Sequence, residues 1–181
     1  MKLDVIQQND NTDAAAARPW YTDGLSFTCT QCGNCCTGGP GYVWISPQEV
    51  RRLAEHLALS VEQTLERFCR KVGGRISLKE HRSPAGLYDC VFLKEVPVER
   101  KIDGQVVRFS KRTCSVYSVR PLQCRTWPFW DENLQSRKTW EIAHRKCPGM
   151  NVGTSYSVEQ IEKLRTATDW PTSPPTSVSS K

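Results

Sequence analysis

The side chains best suited to chemistry lie in one short stretch near the start of the chain, at Cys29, Cys32, Cys35 and Cys36. Thiolates bind zinc and iron–sulfur clusters, and two-residue gaps allow successive sulfurs to turn towards one centre. The nearby glycines suit such a loop, because its backbone must often adopt positive φ. A disulfide knot or a redox-active CxxC is the alternative interpretation. Because the cysteines are denser than core packing requires, the stretch predicts metal ligation.

Four further cysteines are widely separated in the chain, at Cys90, Cys114, Cys124 and Cys147. With the four loop cysteines they make eight thiols, enough for two four-thiolate centres or one larger cluster. The remaining cysteine, Cys69, follows Phe68 on a predicted helix, where a thiol behaves as a small hydrophobic group. We therefore expect the eight cysteines to converge on metal and Cys69 to belong to the core.

Basic and aromatic residues surround Cys124 in the sequence. Arg120 and Arg125 flank it, and an aromatic run over 127–130 follows. Arginines near a metal site can donate hydrogen bonds to sulfur or backbone and offset thiolate charge. We interpret Arg120 and Arg125 as residues that assist cofactor binding; in the alternative they are surface residues and the aromatics are core. His144 could reach the site, because it lies three residues before Cys147.

These motifs resemble the YkgJ-type CxxCxxCC cysteine-cluster family, whose members are described as zinc- or iron-chelating domains. The resemblance spans residues 27–150. The matching residues are Cys29, Cys32, Gly33, Cys35, Cys36, Cys90, Phe92, Leu93, Cys114, Tyr117, Arg120, Pro121, Cys124, Arg125, Pro128, Phe129 and Cys147. A similar cysteine module occurs in flagellin lysine-N-methylase, but no methyl-donor domain is recognisable in this chain. The resemblance implies a metal site without implying a reaction.

Length and composition favour a soluble protein with one domain and a modest core, since 38% of the 181 residues are hydrophobic and 24% are charged. No apolar run approaches the roughly 18 residues that suggest a membrane span. The segment 1–19 lacks the hydrophobic stretch of a secretory signal. We therefore expect a cytoplasmic location, where reducing conditions favour metal or redox roles for cysteine over structural disulfides.

The net charge of +6 allows two interpretations. A basic protein can bind nucleic acid or other anionic partners. However, a zinc ion bound by four thiolates carries a formal charge of about −2, so two such centres would offset about four positive charges. We favour internal compensation over nucleic-acid binding.

The pattern of elements predicts a small α+β fold of residues 20–168 organised around cysteine-ligated metal, with disordered tails over 1–19 and 169–181. Helices are predicted to begin at the capping boxes of Ser46, Ser60 and Ser157, the second continuing to Gly73-Gly74. Strands are predicted over 42–45, 75–79, 88–94 and 139–144. Asp103-Gly104 predicts a hairpin turn between 96–102 and 105–109, and prolines over 114–130 predict turns with short helices.

Three functional hypotheses follow from the sequence. The first is a metal- or cluster-binding protein with a structural, carrier or assembly role, and we prefer it. The second is an enzyme that uses the cluster for redox or group transfer, although no glycine-rich nucleotide loop or acid–base pair is visible. The third is a zinc-stabilised module that binds nucleic acid or protein. Three closely spaced cysteines plus a distant one are typical of iron–sulfur sites, so we favour iron–sulfur over zinc.

Overall fold

Short helices and small antiparallel sheets follow one another along residues 18–167, which are the part of the chain that this computed structural model describes. The α-helices are α1 (Pro47–Leu57), α2 (Val61–Phe68), α3 (Leu122–Thr126), α4 (Asp131–Leu134), α5 (Arg137–His144) and α6 (Val158–Arg165). The predicted α+β class is therefore confirmed. Apart from Arg18 and Pro19, the tails predicted over 1–19 and 169–181 lie outside the described residues. Among residues 18–167, no helix has the length and apolar character needed to cross a membrane.

The strands are short except for one long pair. They are β1 (Leu25–Phe27), β2 (Thr37–Gly38), β3 (Cys69–Val72), β4 (Arg75–Leu78), β5 (Glu80–Arg82), β6 (Tyr88–Cys90), β7 (Leu93–Ile102), β8 (Gln105–Cys114) and β9 (Met150–Tyr156). In the described part of the chain they form four antiparallel sheets, in the orders β1-β9, β2-β6-β5, β3-β4 and β7-β8. The β1–β9 pair brings the start and the end of the described chain together.

The three predicted capping boxes are confirmed. Ser46, Ser60 and Ser157 each accept a hydrogen bond from the backbone N–H three residues later, and the side chain at that position accepts one from the serine N–H. This exchange satisfies two of the backbone donors that a helix start leaves without partners. The sequence therefore determined where α1, α2 and α6 begin.

Three of the predicted elements are wrong. No strand forms over 42–45, where Trp44 makes only an isolated antiparallel bridge to Ser77. The strand predicted over 139–144 is helix α5, which begins with a capping box formed by Ser136 and Thr139 and buries Trp140 and Ala143 on one face. The second helix ends at Phe68 rather than at the glycine pair, because Cys69–Val72 pairs with Arg75–Leu78 as a hairpin. At 139–144 and at the end of α2, tertiary packing outweighed weak local preferences.

The hairpin predicted at Asp103-Gly104 is confirmed and is longer than expected. Both turn residues have positive φ, 49° and 81°, as a two-residue type I′ turn requires. Each of its strands runs for 10 residues, and the pair Leu93–Cys114 closes the hairpin at its base. The hairpin therefore carries a cysteine into the body of the protein.

Within residues 18–167, most of the buried hydrophobic side chains belong to two clusters. The first cluster is Tyr21, Phe27, Phe129, Leu134, Trp140, Ala143, Cys147, Met150 and Ile161. The second cluster is Ile45, Val50, Leu53, Cys69, Leu78, Cys90, Phe92 and Val116. Cysteines predicted to bind metal belong to both clusters, so the candidate site lies where the two clusters meet.

Close backbone contact joins the cysteine loop to the segment after α5. The Thr28 N–H donates to the Gly149 carbonyl over 2.9 Å. A Cβ added to Gly149 would fall well inside 3.0 Å of the Thr28 carbonyl oxygen, closer than real Cβ atoms come. Residue 149 must therefore be glycine, because there is no room for a side chain. The contact between Thr28 and Gly149 also keeps Cys29 and Cys147 in neighbouring segments.

Replacing Gly149 by alanine should therefore destabilise the fold by about 2 kcal/mol, since overpacking against fixed backbone forces the two segments apart. Urea unfolding of the reduced protein measures this change. Gly39→Ala is the matched control, because a Cβ at that position would meet nothing within 4 Å. Equal midpoints for the two variants would contradict the argument.

Candidate metal centre

A single small cavity collects the eight predicted cysteines. It is lined by Cys29, Cys32, Cys35, Cys36, Cys90, Cys114, Cys124 and Cys147. Its volume is about 50 Å³, far below the roughly 300 Å³ at which sites for organic ligands begin. Cys69 does not line this cavity and packs inside the second cluster. The structure therefore separates the nine cysteines into the same two groups as the sequence analysis.

The cysteine loop is held in place by its glycine and asparagine. Gly33 has φ of 75° and precedes a 3₁₀ turn over Asn34–Cys36, and a Cβ there would collide with the Leu93 side chain. Asn34 donates its amide to the Lys146 carbonyl over 2.9 Å and accepts from Arg112 over 2.6 Å. These contacts fasten the loop to the base of the hairpin and to the end of α5.

The four distant cysteines come from four different elements. Cys90 ends β6, Cys114 ends β8, Cys124 lies in α3, and Cys147 follows α5. Each of these cysteines lines the cavity from its own element. Long loops are unnecessary for the convergence.

The short helix α3 is anchored by polar side chains from the front of the chain. Glu49, whose residue is only 7% exposed, accepts from the Leu122 N–H over 2.7 Å at the start of α3. Gln123 accepts from the Trp44 N–H over 2.7 Å and donates to the Tyr42 carbonyl. These bonds replace the side-chain cap that α3 lacks, and they fix the position of Cys124.

Arg120 lies at the cavity. Its Nη1 is 3.8 Å from the Cys29 Sγ, and its Nε donates to the Tyr117 carbonyl over 3.0 Å. The guanidinium also stacks on the Tyr117 ring, with 3.6 Å between Cζ and the ring centroid. Because these contacts already order the Arg120 side chain, it can offset thiolate charge with no further loss of side-chain mobility when metal binds.

Arg125, the other predicted arginine, lies outside the cavity. Its Nε donates to the Arg120 carbonyl over 3.1 Å, and its Nη2 is 3.6 Å from the Glu49 carboxylate. The side chain is 43% exposed. The structure therefore places Arg120 beside sulfur and Arg125 behind the α3 segment, where it contacts the residues that position Cys124.

Burial controls the thiols on the inner side of the cavity. It raises the pKa of Cys90 to about 11 and also raises the pKa values of Cys114 and Cys124. Removal from water disfavours the charged thiolate, and neighbouring sulfurs repel a second negative charge. These thiols are therefore protonated near neutral pH unless a cation binds them.

The adjacent pair Cys35 and Cys36 behaves differently, with 3.9 Å between the two sulfurs. The Cys36 thiol donates a hydrogen bond to the Cys35 thiolate, which lowers the pKa of Cys35 to about 7. The same bond raises the pKa of Cys36. Of the nine cysteines, all of which lie in residues 18–167, only Cys35 is exposed. Cys35 therefore forms the open, ionisable edge of the cavity.

The aromatic residues after Cys124 divide between the site and the core. The Trp127 indole N–H donates to the Cys147 Sγ over 3.4 Å. Phe129 is buried in the first cluster, and the Trp130 indole donates to the Gln123 carbonyl. Trp127 therefore shields the Cys147 sulfur from water, whereas Phe129 and Trp130 support α3, the helix that contains Cys124.

Tyr117 and His144 complete the surroundings of the predicted site. Hydrogen bonding to Cys29 raises the pKa of Tyr117. Tyr117 lies three residues after Cys114 in the family pattern, and this spacing could have identified it as a site residue from the sequence. His144 does not line the cavity, and its Nδ1 lies 3.5 Å from the Glu141 carboxylate. Across residues 18–167, no three or more His, Cys, Asp and Glu side chains are arranged as a metal-ion site. How the eight cysteines divide among centres therefore stays a prediction.

Comparison with known proteins agrees with the donor chemistry. Residues 28–148 match the family described as "CxxCxxCC: Putative zinc- or iron-chelating domain". The chain belongs to this family. It is also 26% identical over 136 residues to an uncharacterized protein of Methanocaldococcus jannaschii, a match that covers 74% of this chain and 63% of that protein. No solved structure shows significant similarity to the chain.

Replacing Arg120 by alanine should weaken metal retention by roughly 10- to 100-fold, the usual range for loss of a residue that supports metal ligands. The physical reason is the loss of the positive charge beside Cys29. Competition with a chromophoric chelator under reducing conditions measures retention. Arg125→Ala is the matched control and should have a smaller effect, because its guanidinium contacts Glu49 rather than sulfur. A larger loss in Arg125→Ala would contradict the assignment of Arg120.

In the reduced, metal-free protein, iodoacetamide at pH 7.5 should modify Cys35 before Cys90. A thiol with a pKa of about 7 is mostly thiolate at that pH, whereas one with a pKa of about 11 is almost entirely protonated. Peptide mass spectrometry after short exposures gives the order of modification. Raising the pH to 9 should narrow the difference between the two rates, because more of Cys90 is then thiolate. Equal rates of modification of Cys35 and Cys90 at pH 7.5 would refute the assignment.

Proposed function

We propose that this chain is a metal-binding protein whose eight cavity cysteines hold an iron–sulfur cluster, zinc or both, in a structural, carrier or assembly role. One observation carries the proposal: four cysteines of one loop and four from separate elements line a single cavity of about 50 Å³, and Cys69 does not. Core packing alone would not sort cysteines in this way. We also propose that residues 20–168 form the metal-binding domain.

The donor set fits such a cofactor. Thiolates are soft ligands that suit zinc, copper(I) and iron–sulfur clusters, and no carboxylate lines the cavity among the described residues. Several buried thiols gathered together cannot all ionise without a cation, because burial raises the pKa values of Cys90, Cys114 and Cys124. Ligation requires their deprotonation, so metal affinity should rise with pH as protons are released.

Cysteine spacing supports iron–sulfur over zinc. Cys29, Cys32 and Cys35 come from one loop, and the cavity offers distant cysteines such as Cys124 as a fourth ligand. Three ligands from a compact loop with one from elsewhere are typical of iron–sulfur sites. Arg120 beside Cys29 would offset part of the negative charge of such a centre. Bound clusters supply electron transfer or sulfur-bridged iron, whereas zinc supplies structural cross-linking.

Exposure of one edge supports a carrier or assembly role beside the structural one. Structural zinc sites are closed, with every position taken by buried protein ligands. Here Cys35 is exposed while Cys90 and Cys147 are buried. An exposed ligand at the edge would allow metal to be passed to or from another molecule. A cytoplasmic location belongs to the same proposal, because all nine cysteines are free thiols and ligation needs them reduced.

A second candidate is an enzyme that uses a bound cluster for redox or group transfer. The observation in its favour is a cleft of about 370 Å³ that shares Cys35, Trp127 and Cys147 with the cysteine cavity and is also lined by Lys146 and Glu132. Its volume lies in the range of small-molecule sites. A change in the visible spectrum of the loaded protein when candidate small molecules are added would favour this candidate.

Protein purified without oxygen should contain iron and sulfide, or zinc, and Cys124→Ser should lower the metal content by at least half. Cys124 lies among the other thiols of the cavity, so its loss removes a ligand. Visible absorption together with iron, zinc and sulfide analysis gives the result. The matched control is Cys69→Ser, which alters a thiol buried in the second cluster and should leave metal per folded protein unchanged. Absence of metal from the unmodified protein, or equal loss in both variants, would refute the proposal.

A further inference from the structure

The β7–β8 hairpin is largely exposed. Among residues 18–167 its two strands pair only with each other, and most of their side chains are open to solvent. A two-stranded hairpin by itself is marginally stable in water. Its outer part contributes little to either hydrophobic cluster. The length of the hairpin therefore calls for an explanation other than the stability of the fold.

Cross-strand register divides the hairpin side chains between two faces, because opposite residues share a face and successive residues alternate. The face that includes Leu93 and Cys114 meets the cysteine loop at its base, where Gly33 approaches Leu93. The apolar–basic face, on the other side, consists of the pairs Lys94–Thr113, Val96–Lys111, Val98–Phe109, Arg100–Val107 and Ile102–Gln105.

The apolar–basic face carries a continuous run of exposed hydrophobic side chains. Val96 is 36% exposed, Val107 and Phe109 are each 40% exposed, and Ile102 is 51% exposed. Val98 lies between them and is half-buried. Adjacent apolar groups left in water on a monomer usually mark a surface that another molecule covers.

The charges on this face all have one sign. Its ionisable residues are Lys94, Arg100 and Lys111, and no acidic residue belongs to it. The glutamates of the hairpin, Glu95 and Glu99, lie on the opposite face, where Glu99 pairs with Arg108 over 2.5 Å. A second copy of this face would oppose cation to cation. An occupant with acidic groups beside apolar ones is complementary.

We propose that the apolar–basic face binds an acidic amphipathic helix of a partner protein. The face is a ribbon of two strands spaced about 4.8 Å apart and about 33 Å long, and a helix about 10 Å wide and 20 residues long covers such a ribbon. An added β-strand would pair with the edge of the hairpin and leave the apolar side chains in water. Aliphatic side chains dominate the face, whereas single-stranded nucleic acid is bound mainly through aromatic stacking.

The base of the hairpin connects this surface to the cysteine cavity. Cys114 ends β8 and lines the cavity, and Arg112, two residues earlier, bonds to Asn34 in the cysteine loop. A helix on the apolar–basic face would thus be held by the same hairpin that supplies one of the eight thiols. The surface does not depend on which metal the cavity binds.

The test is fluorescence anisotropy with a labelled synthetic peptide of about 20 residues, an amphipathic helix with a leucine stripe flanked by glutamates. The unmodified protein should bind it, and Val107→Asp should weaken binding by about tenfold or more. Val106→Asp is the matched control, because Val106 is the neighbouring residue, is 52% exposed and lies on the opposite face. It should change binding by less than about twofold. Arg100→Gln and Lys101→Gln form a second matched pair, of which only the first should weaken binding.

Circular dichroism and metal content should be unchanged in all four variants, which separates this proposal from the function of the cavity. Several outcomes would overturn it. These are no binding by the unmodified protein, equal losses in Val106→Asp and Val107→Asp, and equal binding of a peptide with lysine in place of glutamate. Selective loss in Val107→Asp of binding to single-stranded RNA or phosphatidylglycerol vesicles, with the peptide unaffected, would assign the face to nucleic acid or membrane instead. Loss of a dimer in Val107→Asp would assign it to a second copy.

Discussion

Convergence of eight thiols on one cavity between two hydrophobic clusters is the constraint on which the rest of the structure depends. Cys147 belongs to the first cluster and Cys90 to the second, and the cavity lies between them. Desolvation raises the pKa values of Cys90, Cys114 and Cys124, so these thiols cannot all be ionised unless a cation joins them. A bound metal or cluster would therefore tie the two halves of the core together, and its binding energy would count as folding energy.

The polar contacts around the cavity position cysteines rather than enlarge the core. Glu49 serves both the start of α1 and the start of α3, and Asn34 connects the cysteine loop to the hairpin and to the end of α5. Each such side chain satisfies backbone or guanidinium donors that would otherwise lose water without compensation. A small fold that relies on metal can thus define ligand positions with short elements and few apolar residues.

The positions of individual cations say more about the site than the net charge of +6 does. Arg120 lies beside Cys29, and Arg125 contacts Glu49 behind α3. Other cations line one face of the exposed hairpin, away from the cavity. Under the two proposals, the positive charge would offset thiolate charge at the cavity and complement an acidic partner on the hairpin.

By itself the sequence determined the identity of the cysteines that gather, the α+β class, three helix starts and the hairpin turn. These features depend on residue type and short spacing, such as a capping box or two residues with positive φ at Asp103-Gly104. The tertiary structure decided that 139–144 is a helix, that Cys69 begins a strand, and that Arg120 rather than Arg125 lies beside sulfur. In these cases the outcome depends on partners distant in the chain: Trp140 packs in the first cluster, β4 pairs with β3, and Glu49 attracts Arg125 away from the cavity. Local patterns contain no information about such partners, because only the folded chain brings them into contact.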